Sequence, residues 1–398
     1  MADAVIVDAV RTAGGKRNGK LSGWHPADLA AETLRAVTER NDVDPELVED
    51  VIMGCVMQVG AQGVNVGRNA VLAAGFPESV PSTTIDRQCG SSQQSAHFAA
   101  QGVMAGAYDV VIAAGVEVMS MVPMGASMLA PNTGAPFGPR MMARYEDVGG
   151  LVPQGISAEL IADKWDLSRE ELDEFGARSQ RLAAQATDEG RFESEILPVK
   201  AQPVDKESGK VIETDEIVTA DEGIRRDTTA ETLANLKPAF KPDGKVTAGN
   251  SSQITDGAAA VLIMSEEKAG ELGLTPKARF HAFSLAGVDP ITMLTGPIPA
   301  TDKVLKSSGL SLDDIDLVEI NEAFASVVLA WEKELHPDMD RVNVNGGAIA
   351  LGHPLGCSGA KLMATLVHEL ERTGGRYGLQ TMCEGGGMAN ATVIERLG

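Results

Sequence analysis

Apolar positions set the first reading. Val5-Ile6-Val7 is an apolar run of strand length, and Pro26 to Thr38 spaces its apolar residues as one face of a helix. Val51-Ile52-Met53 predicts a second strand, and Ser82 to Ile85 predicts a third that leads into Cys89. Ser91 to Met104 reads as an Ala/Gln-rich helix ending at Gly106, and Val110 to Ala113 as a buried strand. Strands alternating with helices mark an α/β protein.

The end of the chain repeats this order. Leu317 to Ile320 predicts a strand, Arg341 to Val344 leads towards a glycine-rich turn, Ser358 to Arg372 predicts a helix, and Tyr377 to Met382 predicts a strand. Gly54 to Cys89 is 35 positions and Asn321 to Cys357 is 36; Cys89 to Tyr108 is 19 and Cys357 to Tyr377 is 20. Cys89-Gly90-Ser91 even echoes Cys357-Ser358-Gly359, so duplication is the better explanation.

The middle has a different texture. Residues from about Ser120 to Thr247 carry the stretch Pro131 to Pro139, a charged helix from Ser168 to Asp188, and the polar, hairpin-like segment Val204 to Val218. The expected organisation is a first half over residues 1–119, completed by about 248–272, an inserted loop domain over 120–247, and a second half over 273–398. Such an insertion forms either a ligand wall or a stabilising, oligomer-forming appendage.

Composition narrows the function. Of 398 residues, 43% are hydrophobic, enough for a large core, and no apolar run is long enough to predict a membrane span. The beginning, Met1 to Asp8, has an acid where a signal peptide needs basic residues, so a cytoplasmic protein is expected. The net charge of −22 argues against nucleic-acid binding. It also means that the phosphates of an anionic ligand need local donors. The four cysteines, Cys55, Cys89, Cys357 and Cys383, read as free thiols, and their spacing makes no zinc site.

Three positions invite chemistry. Cys89 stands at a strand-to-helix junction, where unpaired N–H groups favour a thiolate, although a free cysteine can equally be an inert core residue. His353 lies in a glycine-rich loop and is held extended by Pro354; beside a thiol it could take its proton, and the alternative is a structural histidine. Cys383 precedes Gly385-Gly386-Gly387, which weaken a strand but let a ligand approach backbone N–H groups. A second thiol there could shuttle a proton. Asn321 follows the strand ending at Ile320 and could hold a water or carbonyl oxygen, or cap a helix, or both. Gly14 to Lys20 nearly fits a phosphate loop, but Leu21 stands where the magnesium-binding hydroxyl belongs, and no dinucleotide fingerprint follows a strand.

Together these words resemble the thiolase family along the whole chain. The matching stretches are Val7 to Thr12, the Cys89 segment, Lys237 to Phe240, Val246 to Gly257, Gly296 to Ala300, Asn321 to Ala325, Gly346 to Gly359 and Cys383 to Gly385. The resemblance implies two similar mixed-sheet halves, each βαβαβ-like with five strands, plus an inserted loop domain. It implies that Cys89 is the nucleophile, His353 its base and Cys383 the acid/base. A water oriented by Asn321, together with His353, would form one oxyanion hole, and the N–H groups of Cys89 and Gly385 the other. Ser252 and Arg225 match contacts to the pantetheine and phosphates of coenzyme A, while Phe240, Met293 and Phe324 match positions lining the pantetheine and acyl pocket. Coenzyme A is thereby a co-substrate, with acyl-CoA as the other partner, no tightly bound cofactor, and a homodimer or homotetramer as the assembly.

Short-chain members carry a His-Met-Gly word whose methionine walls a small acyl pocket; this chain has Pro153-Gln154-Gly155. A wider or differently shaped pocket, as in degradative members, is the expectation, and Asp86 and Gln88 around Cys89 agree with it. A biosynthetic acetoacetyl-CoA enzyme is the alternative. A decarboxylating ketosynthase of the same fold would carry histidine at Cys383, and a non-catalytic acyl-CoA or sterol carrier would not need all four catalytic side chains.

Overall fold

The computed structural model describes residues 3–129 and 134–398, so Pro131 to Thr133 of the proline–glycine stretch lie outside the described residues. Nine strands organise it: β1 (Ala4–Thr12), β2 (Asp50–Gly54), β3 (Ser82–Ile85), β4 (Val110–Val118), β5 (Thr255–Ser265), β6 (Ala278–Gly287), β7 (Leu317–Ile320), β8 (Tyr377–Glu384) and β9 (Met388–Arg396). Their order is β7-β8-β9-β6-β1-β5-β4-β2-β3. Within the first half the order β3-β2-β4-β5-β1 places the third, second, fourth, fifth and first strands side by side. The second half repeats that order, except that its third strand is reduced to a single bridge between Val318 and Val342. The β1–β6 pairing, Val5 to Arg279 and Ile6 to Ala278, joins the two halves.

The apolar runs that announced these strands are continuous because both faces are covered. In β4, Val110, Ile112, Ala114, Val116 and Val118 join one buried cluster while Val111 and Ala113 join another. The first cluster packs under α1 (Pro26–Glu39). The second lies around α2 (Ser91–Met104) and α7 (Ser358–Thr373), which touch each other between the halves. The outer side of the second half is covered by α5 (Pro297–Ser308) and α6 (Ala325–Leu335). The insertion contributes α3 (Gln154–Lys164) and α4 (Arg169–Asp188), the latter opened by a Ser168/Glu171 capping box. Within the Val204 to Val218 segment Val204 pairs with Val211, and its end pairs back with the preceding residues, Val218 opposite Val199. Among the described residues no helix is long and apolar enough to cross a membrane.

A buried charge network ties the insertion to β1. Arg11, with no exposed surface, meets Glu195 at 2.5 Å and Asp221 at 2.8 and 3.0 Å. Burial is the largest single influence and works to raise the Asp221 carboxyl, but the charges of Arg11 and Lys361 and the hydrogen bonds from Arg11 and the Gly14 N–H together outweigh it and hold Asp221 below its ordinary value. Asp221→Asn leaves Arg11 under-neutralised and should cost about 3–5 kcal/mol in urea unfolding. With folded Asp221 depressed, this stabilisation is complete above the unfolded carboxylate's value of about 3.9 and fades as pH falls below it. The deficit of the variant should therefore be present at neutral pH and shrink in acid; equal stability at neutral pH would contradict the role.

Candidate active site

The two strand-to-helix junctions of the repeat meet at the centre. A Cβ added to Gly359 at the start of α7 would lie 2.0 Å from the Gln93 nitrogen of α2, so only glycine permits this approach. The Ala360 N–H donates to Ser92 Oγ at 2.8 Å across the same crossing. Cys89, Leu355 and Met382, from the loops before α2 and α7 and from β8, share one buried cluster.

Cys89 is buried at the mouth of α2, after Gln88, whose φ of 47° is unusual for a non-glycine residue. The turn is held by Gln88 N–H donating to Asp86 Oδ1 at 2.7 Å and by Ser91 Oγ donating to Gln88 O at 2.5 Å. Burial pushes the Cys89 thiol up to about 12, and the charge of Glu384 adds to it; its own N–H and that of Gly385 act in the opposite sense by hydrogen bonding. Both backbone N–H groups therefore favour the thiolate form of this sulfur. Cys383, fully buried at the end of β8, is raised well above an ordinary thiol by burial first and then by the charges of Cys89 and Glu384. All four cysteines are buried and unpaired.

His353 is fixed from behind. Its N–H donates to Gln253 O and to Thr255 Oγ1, both at 3.1 Å. Ser358 Oγ lies 2.5 Å from Nδ1 and itself donates to Pro354 O at 2.9 Å. With its proton committed to Pro354, the hydroxyl must accept from Nδ1–H, which leaves Nε2 with the lone pair. Nε2 faces Asn321, whose Nδ2 is 3.5 Å away. Burial, and then the Lys361 charge, lower His353 to about 3, so the imidazole is neutral at rest. Lys361 is itself buried and lowered to about 8, mainly by burial; it donates to Leu351 O at 2.6 Å and Gly352 O at 3.1 Å, bracing the loop just ahead of His353. Glu117 braces the next turn by accepting from Gly356 N–H at 2.8 Å and Val56 N–H at 2.9 Å.

Asn321 is no helix cap, because α6 begins at Ala325 with Phe324 in the capping position. Its N–H instead extends the β7–β8 ladder, donating to Thr381 O at 3.1 Å. Gly385 lies in the turn between β8 and β9; a Cβ there would lie 3.1 Å from Gln88 Oε1 and 3.2 Å from Gln154 Nε2, so both glutamines border that turn. Phe240 packs edge-on against Phe324 with ring centres 5.9 Å apart, and Met293 joins Phe324 and Cys383 in one apolar cluster. Ser252 is half-buried beside them, its N–H donating to Ala323 O at 3.0 Å. Arg225 stands apart on an exposed loop, anchored through its backbone N–H to Gln180 Oε1, and its guanidinium has no partner among the described residues.

Residues to which the sequence assigned no role complete the site: Ser358, Gln253 and Thr255 behind His353, and Lys361, Glu117 and Glu384 around the loops. Ser358 falls in the repeated word after Cys357, and Gln253, Thr255 and Glu384 fall in stretches that resemble the family, whereas Lys361 and Glu117 had no such signal.

The description "Thiolase, N-terminal domain" fits residues 4–267 and "Thiolase, C-terminal domain" fits residues 274–396. A steroid 3-ketoacyl-CoA thiolase, FadA6, of Mycobacterium tuberculosis is 50% identical over 100% of this chain and 95% of that protein. A 3-ketoacyl-CoA thiolase of Idiomarina loihiensis is 47% identical over the full length of both. Among solved structures, human mitochondrial 3-ketoacyl-CoA thiolase superposes with a TM-score of 0.88 at 38% identity, covering 100% of this chain and 99% of that one. The acetyl-CoA acetyltransferase of Bacillus anthracis does so with a TM-score of 0.88 at 42% identity and the same coverage. Matched over both halves by sequence and by shape, the chain belongs to the thiolase family.

Proposed function

We propose that this protein cleaves 3-ketoacyl-CoA with coenzyme A, releasing acetyl-CoA and an acyl-CoA shortened by two carbons. The observation that carries the reading is the thiol of Cys89 between its own N–H and that of Gly385, with a neutral imidazole pinned on the neighbouring loop. His353 Nε2 takes the Cys89 proton, and the sulfur attacks the 3-keto carbon. Both groups are biased towards neutrality, so they ionise as a pair, the imidazolium offsetting the thiolate. The Asn321 amide and the imidazolium face one developing oxyanion, and the Cys89 and Gly385 N–H groups the other. As C2–C3 breaks, Cys383 gives its proton to C2 and acetyl-CoA leaves. The Cys383 thiolate then takes the proton of a fresh coenzyme A thiol. That sulfur attacks the acyl carbon, and Cys89 departs and recovers its proton from His353. Run backwards, the same steps make a condensation.

Residues 1–119 with 248–272, and 273–398, carry this chemistry in our reading, while the insertion over 120–247 supplies the wall for coenzyme A. Ser252, Phe240, Met293 and Phe324 line the pantetheine and acyl path, and Arg225 meets the phosphates as an unpaired cation on a chain of net charge −22. Coenzyme A is a co-substrate and no cofactor is held tightly. We place the protein in the cytoplasm as a homodimer or homotetramer; the outer edge of β3, with no strand beyond it among the described residues, is a surface a second copy could cover.

Gln154 at the Gly385 turn, together with the steroid thiolase among the relatives, favours a pocket wider than acetoacetyl. With purified protein, kcat/KM for medium-chain or bulky 3-ketoacyl-CoAs should exceed that for acetoacetyl-CoA by about tenfold or more. A strong preference for acetoacetyl-CoA would favour the biosynthetic alternative. Ser358→Ala removes the group that fixes the His353 tautomer. It should lower kcat by about 10–100-fold with KM little changed, whereas Ser358→Thr, which keeps the hydroxyl, should recover much of the rate. An unaltered kcat in the alanine variant would refute the orienting role.

A further inference from the structure

Directly after Cys383 comes Glu384, a carboxylic acid with no exposed surface and no hydrogen-bond partner on either oxygen. It is packed against the start of α2: a Cβ added to Gly90 would fall 2.0 Å from its Oε1 and 2.7 Å from Asn390 Nδ2. The polar atoms around it are equally unsatisfied. Arg87 Nε and Asn390 Oδ1 are buried without partners, although Asn390 Nδ2 donates to Gly90 O at 3.0 Å. Glu384 is thus the acid nearest in sequence to one thiol and in contact with the glycine that follows the other.

A fully buried carboxylate without a single donor is untenable as an anion, whereas the protonated acid costs far less to bury. Burial raises Glu384 to about 8; Arg87 opposes that rise and Asp86 adds to it. The charged groups bearing on the thiols are Glu384 and Glu117 for Cys89, and Cys89 and Glu384 for Cys383. We propose that Glu384 is a positioning residue for acyl transfer, whose bound proton keeps negative charge away from Cys89 and Cys383 while either must become a thiolate. Once that proton is lost in alkaline solution, the carboxylate opposes both thiolates, so Glu384 sets the upper pH limit of the site. This inference rests on Cys89 being the nucleophile.

The test is the pH dependence of iodoacetamide modification of Cys89, read by peptide mass and independent of turnover. The wild-type rate should climb with pH and flatten above about 8. Glu384→Gln carries no charge at any pH; it should match the wild type within about twofold near pH 6.5 and exceed it by about tenfold near pH 9.5. Arg87→Gln removes the cation that favours the carboxylate, so its bend should move to higher pH; it also carries the test if E384Q does not fold. Superimposable profiles for wild type and E384Q, an unmoved bend in R87Q, or a constant ratio at every pH, which would mean Glu384 is ionised throughout, would each overturn the proposal. Thiolysis by Cys89→Ala is measured in parallel. Retained activity there removes the nucleophile reading, while the alkylation profiles still decide what Glu384 does to the thiol.

Discussion

Everything at the site depends on how closely α2 and α7 cross. The Gln93 backbone occupies the space a side chain at Gly359 would need, and the Ser92 hydroxyl holds the Ala360 N–H across the gap. The loop before each helix is therefore carried to the same point, one bringing Cys89 and the other His353. A side chain at Gly359 would push the helices apart and separate them. The surrounding braces serve this crossing: Glu117 grips Gly356, Lys361 grips the carbonyls of Leu351 and Gly352, and Gln93 Nε2 reaches Gln380 O at 3.1 Å and Thr392 Oγ1 at 2.8 Å. Cores close-packed to this degree hold loops with little freedom.

Dryness then decides the chemistry. Burial drives thiols up and imidazole down, so both are stored neutral at rest. In the proposed reaction, what replaces water is a set of fixed dipoles, the N–H groups of Cys89 and Gly385, which would cost no reorganisation when charge develops. Permanent charge is kept where it is structural, as in the Arg11, Glu195 and Asp221 network. The acidic surface is no obstacle to a phosphorylated substrate if its anionic end is met by one exposed arginine outside this dry region.

Much of this was legible in the chain because duplication leaves two copies of each signal. The spacings from strand end to cysteine matched within a residue, and the strand order of the two halves agrees with them. Cys89, His353 and Cys383 were marked by the glycines and proline around them. The rest was hidden for physical reasons. Nothing local distinguishes Ser358 as a tautomer lock from any serine that opens a helix. Glu384 reads as a polar letter beside glycines, and only its burial makes it unusual. Asn321 fits a capping residue by type, yet α6 starts four positions later and the backbone of Asn321 belongs to the sheet. The third strand of the second half dwindles to the Val342 bridge, too short for any apolar pattern to bound.

The central claim is that Cys89 carries the acyl group while Cys383 only moves protons. Mixing the protein with a 3-ketoacyl-CoA in the absence of free coenzyme A withholds the second acceptor and should let the intermediate accumulate. Mass mapping of the quenched protein should then find one acyl group, two carbons shorter than the substrate's, on the peptide containing Cys89. Acylation of Cys383 or Cys357 instead, or turnover with no acylated cysteine at all, would contradict the account.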